Sequence, residues 1–504
     1  MSGGLVASTS RAEPMLSAVT DFRGSWVDLD TGTTVSRDDF ARGWSALSQL
    51  LRSQGLSPAD RVLLCVANGP LFPAALAAIV DNGGSPILMH GESPPAELER
   101  MARRHGARFL LADGHRRDEL QSTLSGTPFE LGVDLPWATG LWGRWPENTD
   151  WQPLTPEALA GVPLHPTSGT TGEPRLAARP AACALAEADH YQRAVGVDAS
   201  DVILALTPMS HAYAYGGCVM TALRSHARVL SMKKFRPKVV FRALEEYRIT
   251  LMPAVPVMLE MLAFGAGDRL RRPELRVLSA GTLLPSRTAQ HFQELSGGPV
   301  RVLYGTTETG AISVIPANDV ATDPGLHAGH VGLPMPEVAV QVRCETADAS
   351  WDRGVGRVFV RSTSMMAGYA TPKGLDTSAI EPGGWFATGD LGVYDGRGLL
   401  SLKGRETDVI NVFGMKVVPA EVEEVIRALP SVLEVAVYAG VKADSQHVCA
   451  AIVPAPGFLL DRAIIRAHCQ EQLIYYKRPD SIVFMDALPK TPSGKVLRHQ
   501  LPQV

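Results

Sequence analysis

The chain lacks the features that would place it in a membrane or on a nucleic acid. No uninterrupted apolar stretch approaches the ~20 residues that a membrane-spanning helix needs. The nearest candidate, Leu71–Val80, is short and contains Pro73. A formal net charge of −4 argues against a nucleic-acid binder and against a polybasic membrane anchor. We therefore expect neither a nucleic acid nor a membrane as a partner.

Paired cysteines, a secretion signal and internal repeats are also missing. The six cysteines, at positions 65, 183, 218, 344, 449 and 469, are scattered without C-x-x-C spacing. This usage favours buried thiols in a reduced compartment over a metal site. The start, Met1 to Gly4, has no basic segment followed by an apolar core, so no signal peptide is predicted. We expect a cytoplasmic protein.

What the sequence does contain is enough apolar material for several cores. The chain has 504 residues, of which 45% are hydrophobic and 20% charged, as is ordinary for a globular protein. The strand-like run Asp60–Val66 lies between the helix-like stretches Ala41–Leu51 and Leu71–Val80. Such alternation continues along the chain and predicts parallel-type sheets flanked by helices.

The pattern changes from Val355 onward. Gly356–Val360 and Gly398–Leu402 alternate like antiparallel strands, which predicts a small barrel-like part. A compact α+β segment follows, with helices predicted at Ala420–Leu429 and Asp461–Leu473. The predicted fold class is therefore α/β, with a large N-terminal domain over residues 1–404 and a small C-terminal α+β domain over residues 405–504.

The most informative stretch reads Thr-Ser-Gly-Thr-Thr-Gly-Glu-Pro-Arg-Leu from Thr167 to Leu176. Alternating hydroxyls and glycines suit a loop that grips a polyphosphate, because glycines let backbone N–H groups turn inward and hydroxyls add donors. Alone, such a run is also typical of a flexible loop. Four further motifs follow it in order: Tyr304–Glu308, Gly384–Asp390, Lys403–Arg405 running to Glu421, and Pro489–Lys495.

In their order and spacing these five motifs resemble the adenylate-forming superfamily, which comprises acyl-CoA synthetases, peptide-synthetase adenylation domains and beetle luciferases. The resemblance extends from about Trp26 to Arg498 and is closest to an acyl-CoA ligase. It implies a mobile C-terminal domain joined by a hinge near Arg405–Asp408. Thr407, where relatives often keep Asp or Lys, and Asp408 would be the hinge residues.

The resemblance implies a two-step reaction. A carboxylate is a poor acyl donor because its oxygen leaves badly, so it attacks the α-phosphate of ATP and gives an acyl-adenylate and pyrophosphate. The acyl group then passes to a thiol. The implied cofactors are ATP or acyl-AMP, Mg²⁺ and coenzyme A, and the implied partners are a small carboxylic acid and CoA.

Residue roles follow motif by motif. Glu308 would be the Mg²⁺ ligand, since a carboxylate oxygen suits a hard cation, and Thr307 would donate to the α-phosphate. The alternative is that Thr306-x-Glu308 begins a helix. Tyr304 would stack on adenine, with plain core packing as the alternative. The expected nucleotide-binding residues are Thr167, Ser168, Gly169, Thr170, Thr171, Gly172, Arg175, Gly281, Thr282, Tyr304, Gly305, Thr306, Asp390 and Arg405.

Three of the implied roles belong to the later motifs. Asp390 would accept hydrogen bonds from both ribose hydroxyls, unless Thr388–Asp390 is only a polar turn. Arg405 would reach the ribose or a phosphate, with an exposed surface arginine as the alternative. Lys495 would stabilise the pentavalent transition state of adenylation, whereas a lysine so near the C-terminus is otherwise a solvated tail residue.

The sequence motifs for the acid and thiol sites are less specific than those for the nucleotide. His211 matches a position that relatives use as a gate between acid pocket and thiol tunnel, although a lone histidine is often structural. The stretch Ala212–Gly216 offers no carboxylate for an α-ammonium group, which favours a hydrophobic or bulky non-amino acid. Gly414, Met415 and Lys416 would line the pantetheine tunnel, or else form an ordinary turn between strands.

The phosphate loop departs from the family at its end. Relatives continue Pro-Lys-Gly, but here Pro174 precedes Arg175 and Leu176. Arginine changes the shape and reach of the charge, and leucine adds a side chain where the loop is expected to flex and disfavours positive φ. Adenylation is therefore predicted to be impaired, with a separate enzyme supplying acyl-AMP. The full two-step ligase, a ligase that loads a carrier protein, and a catalytically silent adenylate-binding or carrier-docking protein stay open.

Overall fold

The structure is a computed structural model and describes residues 12–58, 60–123, 131–145, 159–167, 174–323, 326, 329–344, 354–412, 415–442, 445–458, 460–491 and 494–502. Several predicted site residues lie outside this description: Ser168, Gly169, Thr170, Thr171, Gly172 and Gly414. For Met415 and Lys416 only the backbone is described.

Strands occur along the whole described chain. In chain order they are β1 (Trp26–Asp28), β2 (Thr33–Val35), β3 (Arg61–Cys65), β4 (Ser85–Leu88), β5 (Ala107–Asp113), β6 (Leu131–Leu135), β7 (Ala138–Arg144), β8 (Leu164–Thr167), β9 (Arg175–Ala178), β10 (Val202–Ala205), β11 (Arg228–Ser231), β12 (Leu251–Ala254), β13 (Arg276–Ser279), β14 (Val300–Thr306), β15 (Gly310–Val314), β16 (His330–Pro334), β17 (Ala339–Arg343), β18 (Gly356–Arg361), β19 (Gly368–Thr371), β20 (Gly374–Asp376), β21 (Ile380–Glu381), β22 (Trp385–Tyr394), β23 (Leu400–Arg405), β24 (Ile410–Val412), β25 (Met415–Val417), β26 (Val432–Lys442), β27 (Ser445–Pro454) and β28 (Ser481–Phe484).

Helices connect most of these strands. The α-helices are Glu13–Asp21, Arg37–Ser53, Leu71–Asp81, Pro95–His105, Arg117–Thr123, Ala181–Val195, Ala212–Ala214, Thr221–Ser225, Pro237–Glu246, Pro256–Gly265, Ser286–Ser296, Ala317–Thr322, Pro419–Arg427 and Arg462–Gln472. Tyr215–Met220 forms a π-helical turn. None of the helices in the described ranges has the length and apolar character that a membrane span requires.

The chain divides into two compact units. The first unit comprises Met1–His327, Pro334–Ala339 and Arg361–Phe386, and the second comprises Ala328–Leu333, Val340–Val360 and Ala387–Val504. The predicted hinge residues Thr407 and Asp408 therefore fall within the second unit, in a short 3₁₀ turn between β23 and β24. Hinge motion at this turn remains a prediction.

Two sheets form the first unit. In one, the strands follow the order β15-β14-β13-β12-β10-β11-β1-β2, and those from β14 to β1 pair in parallel. In the other, the order is β20-β19-β9-β8-β4-β3-β5-β7-β6, with a parallel centre from β8 to β5. Their apolar central strands are buried, as expected for parallel sheets covered by helices.

The second unit is built from smaller sheets. One follows the order β17-β18-β22-β23-β16, and β22 and β23 in it are antiparallel. β24 and β25 form an antiparallel pair, and β26, β27 and β28 form a three-stranded sheet. The helices Pro419–Arg427 and Arg462–Gln472 contribute buried side chains to the apolar core of this α+β part. The predicted α/β fold class is confirmed.

Two predicted element boundaries were wrong for local reasons. The helix predicted over Ala41–Leu51 begins at Arg37, because the Ser36 side chain accepts a hydrogen bond from the backbone N–H of Asp39 and caps the first turn. The strand predicted from Gly398 begins at Leu400, because Gly398 has a φ of +79° and belongs to the preceding turn.

Candidate active site

The predicted site residues of the first sheet lie at one edge. His211 follows β10 after a short turn, Gly281 and Thr282 follow β13, and Tyr304 lies near the end of β14. β10, β12, β13 and β14 are successive parallel neighbours. Since the carboxyl ends of parallel strands meet at the same edge of a sheet, these side chains are gathered there. Gly281 has a φ of +90°, which explains why glycine occupies this position.

The carboxyl edge of the second sheet lies against the loop that carries His211. Asn68, which follows β3, donates from Nδ2 to the carbonyl oxygen of Thr207 at 2.9 Å and accepts at Oδ1 from the N–H of Met209 at 2.7 Å. His90, which follows β4, has its ring centroid 6.3 Å from that of His211. The loop that carries His211 is therefore fixed between the two sheets.

Glu308 lies in the tight turn between the antiparallel strands β14 and β15. The alternative that Thr306-x-Glu308 begins a helix is wrong. The turn is closed by the N–H of Thr309, which donates to Thr306 Oγ1 at 3.2 Å. At Gly305 a Cβ atom would lie 2.5 Å from the carbonyl oxygen of Gly310, so only glycine fits beside the bulge that shapes this turn. Thr307 and Glu308 are both partly accessible.

The connection between β18 and β19 holds the Glu308 turn in place. The N–H of Met366 donates to the carbonyl oxygen of Glu308 at 2.7 Å. Ser364 Oγ donates to the carbonyl oxygen of Thr309 at 2.7 Å. Because both backbone carbonyls of the turn are fixed, the side chain of Glu308 starts from a well-defined position.

Tyr369 connects two residues that the sequence assigned to the phosphate site. Its hydroxyl lies 2.9 Å from Glu308 Oε1 and 3.0 Å from Arg175 Nη2. The guanidinium carbon of Arg175 also stacks over the Tyr369 ring, 3.9 Å from its centroid. Burial raises the pKa of Tyr369, and the charge of Glu308 acts in the same direction, so the hydroxyl stays protonated. Tyr369 was not predicted, because it reaches the site only through the pairing of β19 with β9.

Leu176 does not lie where the sequence placed it. It is fully buried in β9, between Pro166 of β8 and Ala370 of β19, and it belongs to the apolar core of the second sheet. The expectation that its side chain occupies a flexing loop was wrong, because β9 begins at Arg175 and the chain is already extended at Leu176. Any effect of the loop's departure on adenylation has to come from Arg175.

A buried ion pair lies behind the Glu308 turn. Arg179 Nη2 lies 2.7 Å from Glu187 Oε2, and both side chains are almost fully buried. Glu187 Oε1 accepts from the N–H of Ala311 at 2.9 Å, and Arg179 Nη2 donates to the carbonyl oxygen of Ser364 at 3.1 Å. Burial alone would lower the pKa of Arg179, but the charge of Glu187 outweighs it and the pKa is raised. The pair therefore joins β9, the helix Ala181–Val195 and β15.

The environment of His211 keeps its imidazole neutral. His211 is exposed to solvent, although protein atoms surround most of its imidazole ring. The resulting loss of hydration lowers its pKa, and the charge of His90 acts in the same direction. Nearby along the chain, the Tyr213 hydroxyl donates to the carbonyl oxygen of Leu278 at 3.1 Å. The lowered pKa leaves the imidazole neutral near pH 7, with one ring nitrogen that carries no proton.

The ribose motif of the second unit is a strand, not a turn. Asp390 and Arg405 are opposite each other in β22 and β23, and Arg405 Nε lies 2.7 Å from Asp390 Oδ1. Arg405 Nη1 also donates to the carbonyl oxygen of Thr388 at 3.2 Å. The alternative of a polar turn was therefore wrong. Arg405 is an exposed arginine, as its alternative stated, but it is paired with Asp390. Whether Asp390 binds ribose remains a prediction.

Lys495 lies in a tight turn of the second unit. Its N–H donates to Thr491 Oγ1 at 3.1 Å, its carbonyl oxygen accepts from the N–H of Thr491 at 2.8 Å, and Gly494 has a φ of +85°. The side chain is exposed, and no carboxylate among the described residues pairs with its ammonium group. Farther along, Arg498 Nη1 lies 3.1 Å from Oδ2 of Asp408, a predicted hinge residue.

The carboxylate of Glu308 is a suitable ligand for Mg²⁺. This ion is typically held by one or two carboxylates together with substrate phosphates and water, and Glu308 supplies one carboxylate. Thr167, the last residue of β8, has a buried hydroxyl with no hydrogen-bond partner in the part of the chain that the structure describes. A buried hydroxyl without a partner is costly and is expected to serve a ligand.

The fold is that of the adenylate-forming enzymes. The structure of MatB from Rhodopseudomonas palustris with bound ATP superposes with a TM-score of 0.80, at 22% sequence identity, over 97% of this chain and 98% of that one. The chain belongs to the AMP-binding enzyme family: the family's sequence model matches residues 9–370, and the model of its C-terminal domain matches residues 421–495.

Curated relatives include several CoA ligases. An indoleacetate–CoA ligase from Aromatoleum aromaticum is 31% identical over 345 residues, which is 67% of this chain and 66% of that protein. A 4-coumarate–CoA ligase from Oryza sativa subsp. japonica is 25% identical over 499 residues, which is 94% of this chain and 88% of that protein. Both relatives are similar to this chain along most of its length.

Proposed function

We propose that this chain is an ATP-dependent acyl-CoA ligase acting on a hydrophobic or bulky non-amino carboxylic acid. In the first half-reaction a carboxylate oxygen bonds to the α-phosphorus and pyrophosphate leaves. In the second, the thiolate of CoA bonds to the acyl carbon and AMP leaves. The observation that carries the proposal is that the Tyr369 hydroxyl contacts both Glu308 and Arg175, a residue of the phosphate-loop motif.

In the adenylation step the protein neutralises charge and positions the phosphates. Glu308 would hold Mg²⁺, and Thr306 and Thr307, in the same turn, would offer hydroxyls to the α-phosphate. Bound Mg²⁺ supplies neutralisation of phosphate charge. Arg175 begins β9 and is the cation of the phosphate-loop motif. It would neutralise the departing pyrophosphate to the extent that its anchoring to Tyr369 lets it reach the phosphates. The exposed ammonium of Lys495 is proposed to act at the α-phosphate.

The acid is proposed to carry an aromatic group. The relatives named above are ligases for indoleacetate and 4-coumarate. In this chain the stretch Ala212–Gly216 contributes no acidic side chain to the edge beside His211. Glu187, which packs against Gly216, is already paired with Arg179. An α-ammonium group would therefore have to be buried without a counter-charge of its own, which is unfavourable. Aryl-alkanoic and aryl-acrylic acids are therefore the first substrates to test.

CoA is the proposed thiol. Gly414, Met415 and Lys416 are proposed to line the pantetheine path. Of these, Met415 and Lys416 belong to β25, which pairs with β24. Neutral His211 is proposed to lie between acid and thiol, where it can accept the thiol proton. A carrier-protein thiol is the alternative, and comparing CoA with a phosphopantetheinylated carrier distinguishes the two.

Adenylation is proposed to be the slower half-reaction. Arg175 is stacked on Tyr369 and hydrogen-bonded to its hydroxyl, so its guanidinium is anchored to β19. A lysine at this position has a flexible stem and an ammonium group that can follow a phosphate. Misplacement by ~1 Å can reduce a rate about a hundredfold. Arg175→Lys should therefore accelerate ATP–pyrophosphate exchange.

The decisive experiment measures the two half-reactions separately over a panel of acids. ATP–pyrophosphate exchange reports adenylation, and thioester formation from synthetic acyl-adenylate and CoA reports the second step. We expect thioester formation with at least one aromatic acid and slower exchange with the same acid. A chain that binds AMP but performs neither half-reaction with any acid would instead be a silent adenylate-binding protein.

A further inference from the structure

The hydrogen bonds around the Tyr369 hydroxyl can run in only one direction. A guanidinium only donates and an ionised carboxylate only accepts. The single hydroxyl proton of Tyr369 therefore goes to Glu308 Oε1, at 2.9 Å, and the hydroxyl oxygen accepts from Arg175 Nη2, at 3.0 Å. The hydroxyl thus transmits the charge of Arg175 to the carboxylate through one polarised chain.

The surrounding structure restricts movement of the Tyr369 side chain away from the Glu308 carboxylate. β19 pairs with β9, with Tyr369 opposite Ala177, and the preceding Met366 binds the carbonyl oxygen of Glu308 through its N–H at 2.7 Å. The stacked guanidinium of Arg175 covers the ring at 3.9 Å. The segment from Met366 to Tyr369 therefore binds both the backbone and the side chain of Glu308.

We propose that Tyr369 is a positioning residue for the Mg²⁺-dependent half-reaction. By engaging Oε1 of Glu308 it fixes the carboxylate and leaves Oε2, which accepts no hydrogen bond from any described residue, for the metal. The same hydroxyl holds Arg175 beside that carboxylate, so one side chain orients the metal ligand and the cation that follows the phosphate loop. This inference rests on the proposed role of Glu308.

Tyr369 would act as a hydrogen-bonding partner that orients a metal-binding carboxylate. Such partners fix the rotamer of the ligand, and their loss typically lowers metal affinity about 10- to 100-fold. Tyr369→Phe removes only the hydroxyl and keeps the ring on which Arg175 stacks. Any change in this variant therefore reports the hydrogen-bonded chain and not the packing of β19.

The test is calorimetric titration of native protein and Tyr369→Phe with ATP, once with excess Mg²⁺ and once with EDTA, and with AMP. We expect ATP binding in Mg²⁺ to weaken about tenfold in Tyr369→Phe, with AMP binding and ATP binding in EDTA unchanged. Tyr394→Phe is the matched control, since it removes a hydroxyl that donates to the backbone carbonyl of Val340 at 3.3 Å. It should leave all three affinities unchanged.

A second comparison separates this inference from the proposed function. Glu308→Gln should itself abolish most of the Mg²⁺-dependent gain in ATP affinity, and in that background Tyr369→Phe should have no further effect. If Glu308→Gln behaves like the native protein, the metal assignment of the proposed function fails, and this inference fails with it. If Glu308→Gln loses the gain but Tyr369→Phe keeps it, only the role of Tyr369 is refuted.

Two further outcomes would also overturn the role of Tyr369. Equal weakening of MgATP and AMP binding in Tyr369→Phe would show a general structural role. Additive effects in the double variant with Glu308→Gln would show that the hydroxyl acts without the carboxylate. The melting temperature of each variant is measured alongside, so that unfolding is not mistaken for weakened binding.

Discussion

Asp390 and Arg405 face each other across β22 and β23, with Arg405 Nε 2.7 Å from Asp390 Oδ1. The carboxylate is buried, whereas 46% of the arginine side chain is exposed. Asp390 is therefore oriented before any ligand arrives, by a partner that can still turn toward solvent. Such preorganisation reduces the entropy that a bound ligand has to lose in ordering the site.

Replacing Asp390 by alanine should weaken binding of AMP and acyl-AMP. Loss of a charged hydrogen-bond acceptor typically costs about 1–3 kcal/mol, which is roughly 5- to 150-fold in the dissociation constant. Calorimetric titration with AMP measures the change, and Asp376→Ala, which removes an exposed carboxylate on β20, is the control. Unchanged AMP affinity in Asp390→Ala would remove this residue from the ribose site.

Lys495 and Gly414 should affect different half-reactions, because one small domain is expected to present two faces in turn. Lys495→Ala should depress ATP–pyrophosphate exchange and leave thioester formation from supplied acyl-adenylate nearly intact. Gly414→Trp should have the opposite pattern, with nucleotide binding retained. Damage to the same half-reaction by both changes would contradict domain alternation in this protein.

Leu176 should matter for stability and not for catalysis. It is fully buried between β8 and β19, so Leu176→Ala leaves a cavity and should lower the free energy of unfolding by about 2–5 kcal/mol. Urea unfolding measures this change. Leu283→Ala is the control, because Leu283 is 45% exposed and its loss should change stability by less than about 0.5 kcal/mol.

The buried pair of Arg179 and Glu187 should be sensitive to removal of one partner. Glu187→Gln leaves a buried guanidinium without its counter-charge, which typically costs about 3–5 kcal/mol of folding free energy. By contrast, Glu99→Gln breaks an exposed helical pair with Arg103, worth at most ~1 kcal/mol. Urea unfolding of both variants measures the difference. Similar small losses in the two variants would show that Arg179 is solvated in the native protein.

His105 should make stability depend on pH. Burial, with Arg61 and Arg104 adding to it, lowers the pKa of His105 to about 4. As pH falls below the unfolded value of ~6.5, the unfolded chain takes up a proton and the native chain does not, so stability is lost between pH 6.5 and about 4. Between pH 7 and pH 5 the loss from this group is about 2 kcal/mol. His105→Gln should lose correspondingly less stability over that interval in urea unfolding; an identical pH slope would exclude His105.

Much of the fold could be predicted because its signals are local. The helix Leu71–Asp81 and the strand β3 lie within a residue of their predicted bounds, since an apolar run bounded by turn residues can be recognised without knowing its distant partners. Boundaries failed where a cap or a left-handed glycine decided them, as at Ser36 and Gly398. A single capping contact or glycine changes the local sequence pattern too little for the boundary to be predicted from it.

The candidate site was predicted in its parts but not in its connections. Glu308 and Arg175 were found because each lies in a short motif whose residue types suit phosphate and metal. Tyr369 was not found, because it belongs to no such motif and its hydroxyl meets them only across β9 and β19. Leu176 was misplaced because the motif extends one residue into a strand that core packing defines.

The sequence by itself determined which groups this chain can offer to a phosphate ligand, since hydroxyls, glycines, carboxylates and cations are fixed by residue type and spacing. Tertiary structure alone decided how those groups are held. A hydrogen bond or ion pair such as Tyr369 to Glu308 or Arg179 to Glu187 depends on strand order and register, and those are set by burial of the whole core and not by any segment of the chain.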